Sequence, residues 1–153
     1  MQGPDASSET IEVRRLVRAP QARVFAAWTT PEDLGRWWRV TPAHVPTAIA
    51  VDLRVGGTYR LGARAPNGVT YVVTGTYREI SAPHRLVYTW RWIEPEPSPN
   101  ESVVTVDFLA HGESTEVVVS HACLPPEARP AHADGWAGCL NALIDTTTTG
   151  GRA

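Results

Sequence analysis

"PQARVFAAWTTPEDLGRWW", residues 20–38, is the stretch whose reading decides the fold. Pro20 suits a first helical position, where a missing N–H is no loss. Val24, Phe25 and Trp28 then fall at i, i+1 and i+4, the stripe of a short amphipathic helix. A second helix starts at once. Thr30 reads as its N-cap, Pro31 as its first residue, and Asp33 three positions on completes a capping box. Leu34, Trp37 and Trp38 follow at i, i+3 and i+4. The result is a two-helix corner holding three of the six tryptophans of the chain. Tryptophan is a large apolar body with one N–H that wants a partner when buried. The corner is therefore dense core or the wall of a cavity. Adjacent helical positions diverge by about 100°, so Trp37 and Trp38 are not expected to share one space.

Working outward, "TIEVRRLV" (10–17) places Ile11, Val13 and Val17 on one side and reads as a strand. From Val45 to about Leu124 the pattern has period two with turn punctuation at "VGG" (55–57), "APNG" (65–68), "SAPH" (81–84), the proline-rich "IEPEPSPNES" (93–102) and "HGES" (111–114). Asn67-Gly68 is the strongest of these hairpin signals. Six strands in an antiparallel meander follow. The closing segment "PEARPAHADGWAGCLNALIDTTTT" reads as a helix with His132, Trp136, Cys139, Leu140, Leu143 and Ile144 on one stripe; Pro130, Gly135 and Gly138 weaken its start. The order predicts an α+β domain in which a curved antiparallel sheet covers its apolar face with the last helix. A single domain is expected over 10–146, between flexible termini at 1–9 and 147–153.

The chain has 153 residues, 42% hydrophobic and 20% charged, with a formal net charge of −2. That is a globular composition with no field to recruit nucleic acid or an anionic membrane. All 14 basic residues are arginine, scattered along the chain, a usage that fits GC-rich bacterial coding. Two cysteines make no disulfide framework. No signal-peptide core or membrane span is visible, so a cytoplasmic protein with reduced thiols is expected.

"APQARVFAAWTTPEDLGRWW", "VDLRVGGTYR", "NGVTYVVTGTYREISAPHRLVYTWRW", "STEVVVSHACLP" and "HADGW" together resemble, in order, the signatures of the family named for homology to the activator of the heat-shock-protein-90 ATPase, within the START-like (SRPBCC) superfamily. The resemblance covers about residues 11–145. It implies a helix-grip fold: strand, two short helices and six strands wrapped around a long C-terminal helix, with a cavity between sheet and helix. It implies binding of a small hydrophobic or aromatic metabolite, lipid- or polyketide-like. The alternatives are a cyclase/aromatase- or hydrolase-type enzyme using the same cavity, or a chaperone ATPase activator linked to stress response. In the "HADGW" block the resemblance gives Gly135 the role of letting helix and sheet approach, and Trp136 that of plugging the grip.

Phe25, Trp28, Trp37, Trp38, Tyr59, Tyr71, Val73, Trp90, His121, Trp136, Cys139 and Leu143 are the candidate ligand-binding residues. Strand alternation puts Tyr59 with Leu61, Tyr71 with Val73, and Tyr88 with Trp90 and Trp92; a bulge would flip which set faces inward. His121 and Cys123 are read as sharing a strand face, with His121 a polar anchor or a satisfied structural histidine. His132 is a weaker candidate for an acid or base. Asp52 and Arg54 read as an ion pair bracing the glycine turn. Two ligands make no metal site, and no nucleophile, phosphate-loop or dinucleotide motif is present. No catalytic residue, metal or cofactor is assigned. The expected partner is a small apolar ligand, with the chain a monomer or weak homodimer.

Overall fold

The computed structural model describes residues 10–147. Its elements are β1 (Thr10–Val17), α1 (Gln21–Thr29), α2 (Pro31–Trp37), β2 (Val45–Val51), β3 (Thr58–Arg64), β4 (Thr70–Ser81), β5 (Arg85–Glu94), β6 (Ser102–His111), β7 (Ser114–Ala122) and α3 (Arg129–Thr147), with a 3-10 turn at Pro126–Ala128 before α3. The expected tail therefore contributes Thr147 to α3; residues 1–9 and 148–153 lie outside the described residues.

The sheet runs β1-β7-β6-β5-β4-β3-β2, antiparallel throughout. Six strands follow the meander, and β1 pairs beside β7 at the far edge from β2. The α1–α2 corner thus carries the chain from one edge of the sheet to the other. Cross-strand register builds the core in rows: Leu86, Val106, Val119 and Val13 in one, Tyr88, Val104, His121 and Ile11 in the next. Short turns hold the meander. In the β3–β4 loop Gly68, at φ +91, donates to the Ala65 carbonyl, and the Asn67 side chain accepts from Val69 N–H. Arg54 Nε lies 3.0 Å from an Asp52 carboxylate oxygen, the pair bracing the β2–β3 turn.

The capping box at the second helix does not form. Thr30 makes no side-chain cap, and its backbone N–H already donates to the Ala26 carbonyl at the end of α1. Helices that abut through one residue leave Asp33 no orphan donor to reach back to. Its carboxylate instead takes Arg23 at 3.1 Å and Arg36 at 3.0 Å, tying α1 to α2.

The two glycines of α3 have opposite roles. A Cβ at Gly138 would sit 1.9 Å from the backbone oxygen of Val40, whereas one at Gly135 meets nothing nearer than a Val40 methyl at 3.8 Å. Close approach is thus required at Gly138 rather than Gly135, and the surface approached is the segment after α2, not the sheet. Gly135→Ala is expected to raise stability by about 1 kcal/mol through helix propensity. Gly138→Ala should lower it by about 2 kcal/mol, since a backbone clash outweighs that gain. Urea unfolding of the two variants checks both signs.

No helix among the described residues is long and apolar enough to cross a membrane.

Candidate functional site

The tryptophans of the corner enter one aromatic cluster with those of the sheet and α3. Trp28 stacks on Trp136 at 6.1 Å between centroids and lies 4.6 Å from Trp37. Trp38 meets Trp90 and Trp136 edge-on, each at 5.9 Å. Each ring still has to place its N–H. Trp28 donates to the Tyr88 hydroxyl, Trp37 to the Ala27 carbonyl, Trp136 to His121 Nδ1 and Trp92 to His132 Nε2. The Trp90 N–H is buried without an acceptor among the described residues.

Two histidines are fixed by these bonds. His121, fully buried on β7, accepts Trp136's N–H at Nδ1, so its proton sits on Nε2 and is donated to Ser102 Oγ at 2.7 Å. Ser102 in turn donates to the Trp90 carbonyl. Burial, aided by nearby His132, lowers the His121 pKa from 6.5 to about 3, so the ring stays neutral. His132, on α3, donates Nδ1–H to the Ala128 carbonyl at 2.8 Å and accepts from Trp92. Neither imidazole has a nitrogen left for a substrate proton in this arrangement.

A cleft of about 570 Å³ opens beside this cluster. Trp38 and Val40 close one side, Tyr71, Trp90 and Trp92 of the sheet form the floor, and Ala131, His132, Gly135, Trp136 and Cys139 of α3 form the opposite side. Its outer wall is the β5–β6 connection from Glu94 to Pro99. That loop is held: Ser98 N–H donates to the Trp92 carbonyl, and Arg91 donates to the Ser98 carbonyl. A smaller lobe of about 240 Å³ continues past Trp38, Tyr71 and Cys139 toward Arg39, His44 and Ala63. Burial pushes the Cys139 thiol up to about 12, so it stands in the wall as a neutral apolar group.

Of the residues singled out from sequence, Trp38, Tyr71, Trp90, Trp136 and Cys139 come together on this cleft. Phe25, Trp28, Trp37, Tyr59, Val73, His121 and Leu143 are buried in the core and are not among its lining residues. Tyr59 is spent in a tyrosine cluster, 5.1 Å from Tyr88 and 5.7 Å from Tyr77, with its hydroxyl donated to the Thr89 carbonyl; burial raises all three phenol pKa values. Cys123 does not share a face with His121. β7 ends at Ala122, and Cys123 turns outward at φ 70 ahead of Pro125, leaving its side chain exposed. The proline-rich wall was the missed part, along with Gly135, whose absent side chain leaves part of the cleft open. No group of three or more potential metal-ligating side chains occurs among the described residues.

A seven-stranded antiparallel sheet gripping a C-terminal helix, with a cleft between them, defines the helix-grip class of START-like domains. The profile of the family described as activator of Hsp90 ATPase homolog 1-like protein matches residues 18–147. The chain belongs to that family. Among solved structures it is similar to a protein from Rhodobacter sphaeroides (26% identity, TM-score 0.79, covering 94% of each chain). It is also similar to a protein from Chromobacterium violaceum (24% identity, TM-score 0.80, covering 92% of this chain and 98% of that one). An AHSA1-like protein from Aeromonas hydrophila matches at 24% identity and TM-score 0.73, over 89% of this chain and 90% of its own. No curated protein matches the chain.

Proposed function

We propose that this protein is a binding module that holds a small, largely apolar metabolite with an aromatic or otherwise flat face in the cleft between β4–β5, α3 and the Glu94–Pro99 loop. The observation that carries this reading is the cleft itself. Its volume of about 570 Å³ falls within the roughly 300–1,000 Å³ of small-molecule sites, which are mostly apolar with a few polar groups. Four indoles and a phenol ring supply the walls. His121 and His132, the histidines considered as acid or base for a cyclase or hydrolase in the same cavity, have both nitrogens engaged. Residues 10–146 act in this reading as one domain, monomeric or weakly dimeric. Two free thiols, Cys123 and Cys139, suit a reducing cytoplasm.

The test uses the tryptophans as reporters. Aromatic ligands are expected to quench intrinsic fluorescence with micromolar dissociation constants. Gly135→Leu, which projects a side chain into the cleft from a position with open space, should weaken binding at least tenfold while leaving the unfolding midpoint at or above that of the unaltered protein. Undiminished binding by this variant would place the ligand elsewhere and end the proposal.

A further inference from the structure

The charges around the cleft are one-sided. Glu94 and Glu96 are the formally charged side chains among its lining residues, and no arginine lines it. Both carboxylates are exposed, and neither has an ion pair or side-chain hydrogen bond among the described residues. Arg91 donates to the Ser98 carbonyl, Arg39, in the adjoining lobe, donates to the Arg36 carbonyl, and Arg129 at the start of α3 donates to the Leu124 carbonyl. His132 presents a nitrogen that accepts Trp92's N–H.

Inside the rim the surface is aromatic on several sides. Trp90, 4% exposed, is surrounded by rings: Trp92 at 5.4 Å and 85°, Trp136 at 5.2 Å and 44°, Trp38 at 5.9 Å and 63°. Tyr71 stands edge-on to Trp92 at 6.2 Å. Most of Trp38, Trp90 and Trp136 is covered by these neighbours; Tyr71, 39% exposed, and half-buried Trp92 present the open ring surface of the cleft, and aromatic faces attract cations through their quadrupole. Aromatic faces with unpaired carboxylates at the mouth form a site that favours positive charge without demanding a strong hydrogen-bond acceptor.

We propose that the ligand of this cleft is an organic cation, a quaternary or tertiary ammonium group on an apolar body, held against the rings of Tyr71 and Trp92 with Glu94 and Glu96 at the entrance. The inference rests on the cleft being the binding site and adds the charge of what it takes. A neutral aromatic would lose the carboxylates' attraction. An anion would meet both carboxylates and the negative ring faces.

Benzyltrimethylammonium and neopentylbenzene, its uncharged carbon isostere, separate the two readings. The cation is expected to bind at least about tenfold more tightly at low ionic strength, a ratio equivalent to about 1.4 kcal/mol and within the range of desolvated cation–π contacts. Its advantage should shrink at least threefold in the Glu94→Gln/Glu96→Gln double variant and again on raising salt, which screens exposed charges; the neutral probe should respond to neither. Both probes should be lost in Gly135→Leu. Equal or tighter binding of the neutral isostere, or an unchanged preference in the double variant, overturns the cation while leaving the cleft as the site. Binding of neither probe, or binding that survives Gly135→Leu, overturns both.

Discussion

Trp136→Ala is expected to lower the unfolding free energy by about 4 kcal/mol, a large fraction of the roughly 5–15 kcal/mol that holds a domain of this kind together. Trp136 is buried where α3 meets the two-helix corner and the sheet at once. It stacks on Trp28, meets Trp38 edge to face and Trp90 at a tilt, and donates its N–H to His121. Two of its neighbours, Trp28 and His121, are held by their own hydrogen bonds and resist collapse into the vacancy. Trp136→Phe separates the two contributions. Most of the ring contact survives, but His121 Nδ1 becomes a buried acceptor without a donor, a loss of about 1–3 kcal/mol. Urea unfolding at neutral pH gives the order: unaltered protein, then Phe, then Ala. A change below about 1 kcal/mol for the alanine variant would mean that the cluster is not the keystone between helix and sheet.

How much of this was legible follows from what each pattern encodes. The corner was legible because Pro31 opens α2 and Pro20 stands one residue ahead of α1, as its N-cap rather than its first helical residue, and because apolar residues at i, i+3 and i+4 need a shared face. The strands were legible because alternation between glycine turns leaves few other readings. Alternation gives a side of the sheet but not a depth along it. Tyr71 and Val73 share a face as expected, yet Tyr71 is 39% exposed at the cleft and Val73 is 0% exposed in the core. Register shifts at Val72/Val73 and Tyr77/Glu79 in the β4–β5 pair blur the count further. The capping box failed because two helices sharing a junction residue satisfy its N–H internally. The Glu94–Pro99 wall left no periodic signal, since a proline-rich loop is shaped by its anchors, here the Trp92 and Ser98 carbonyls. Gly135 and Gly138 look alike in sequence; only the position of the Val40 backbone tells them apart.

Acid should destabilise the protein through His121 before its carboxylates titrate. The folded state holds this imidazole neutral, with a pKa of about 3 against an ordinary 6.5. Burial is the main cause, and His132 on α3, with ring centroids 5.3 Å apart, is the titratable group facing it. Nδ1 is occupied as an acceptor and cannot take a proton without breaking the bond from Trp136. Below pH 6.5 the unfolded chain binds a proton here that the folded chain refuses, so stability rises with pH across this window and falls as pH drops from 6.5 toward 3. The slope is about 1.4 kcal/mol per pH unit for one such group, or about 2 kcal/mol between pH 6.5 and 5, where ordinary carboxylates remain ionised. The measurement is the unfolding free energy at pH 7, 6 and 5 for the unaltered protein and for His121→Asn. The variant will be less stable at every pH, but it should lack this part of the slope. Parallel curves would show that His121 does not carry the acid sensitivity. Trp136→Phe provides the intermediate case: with Nδ1 released from its donor, a proton becomes easier to accept, and the slope between pH 6.5 and 5 should flatten without disappearing.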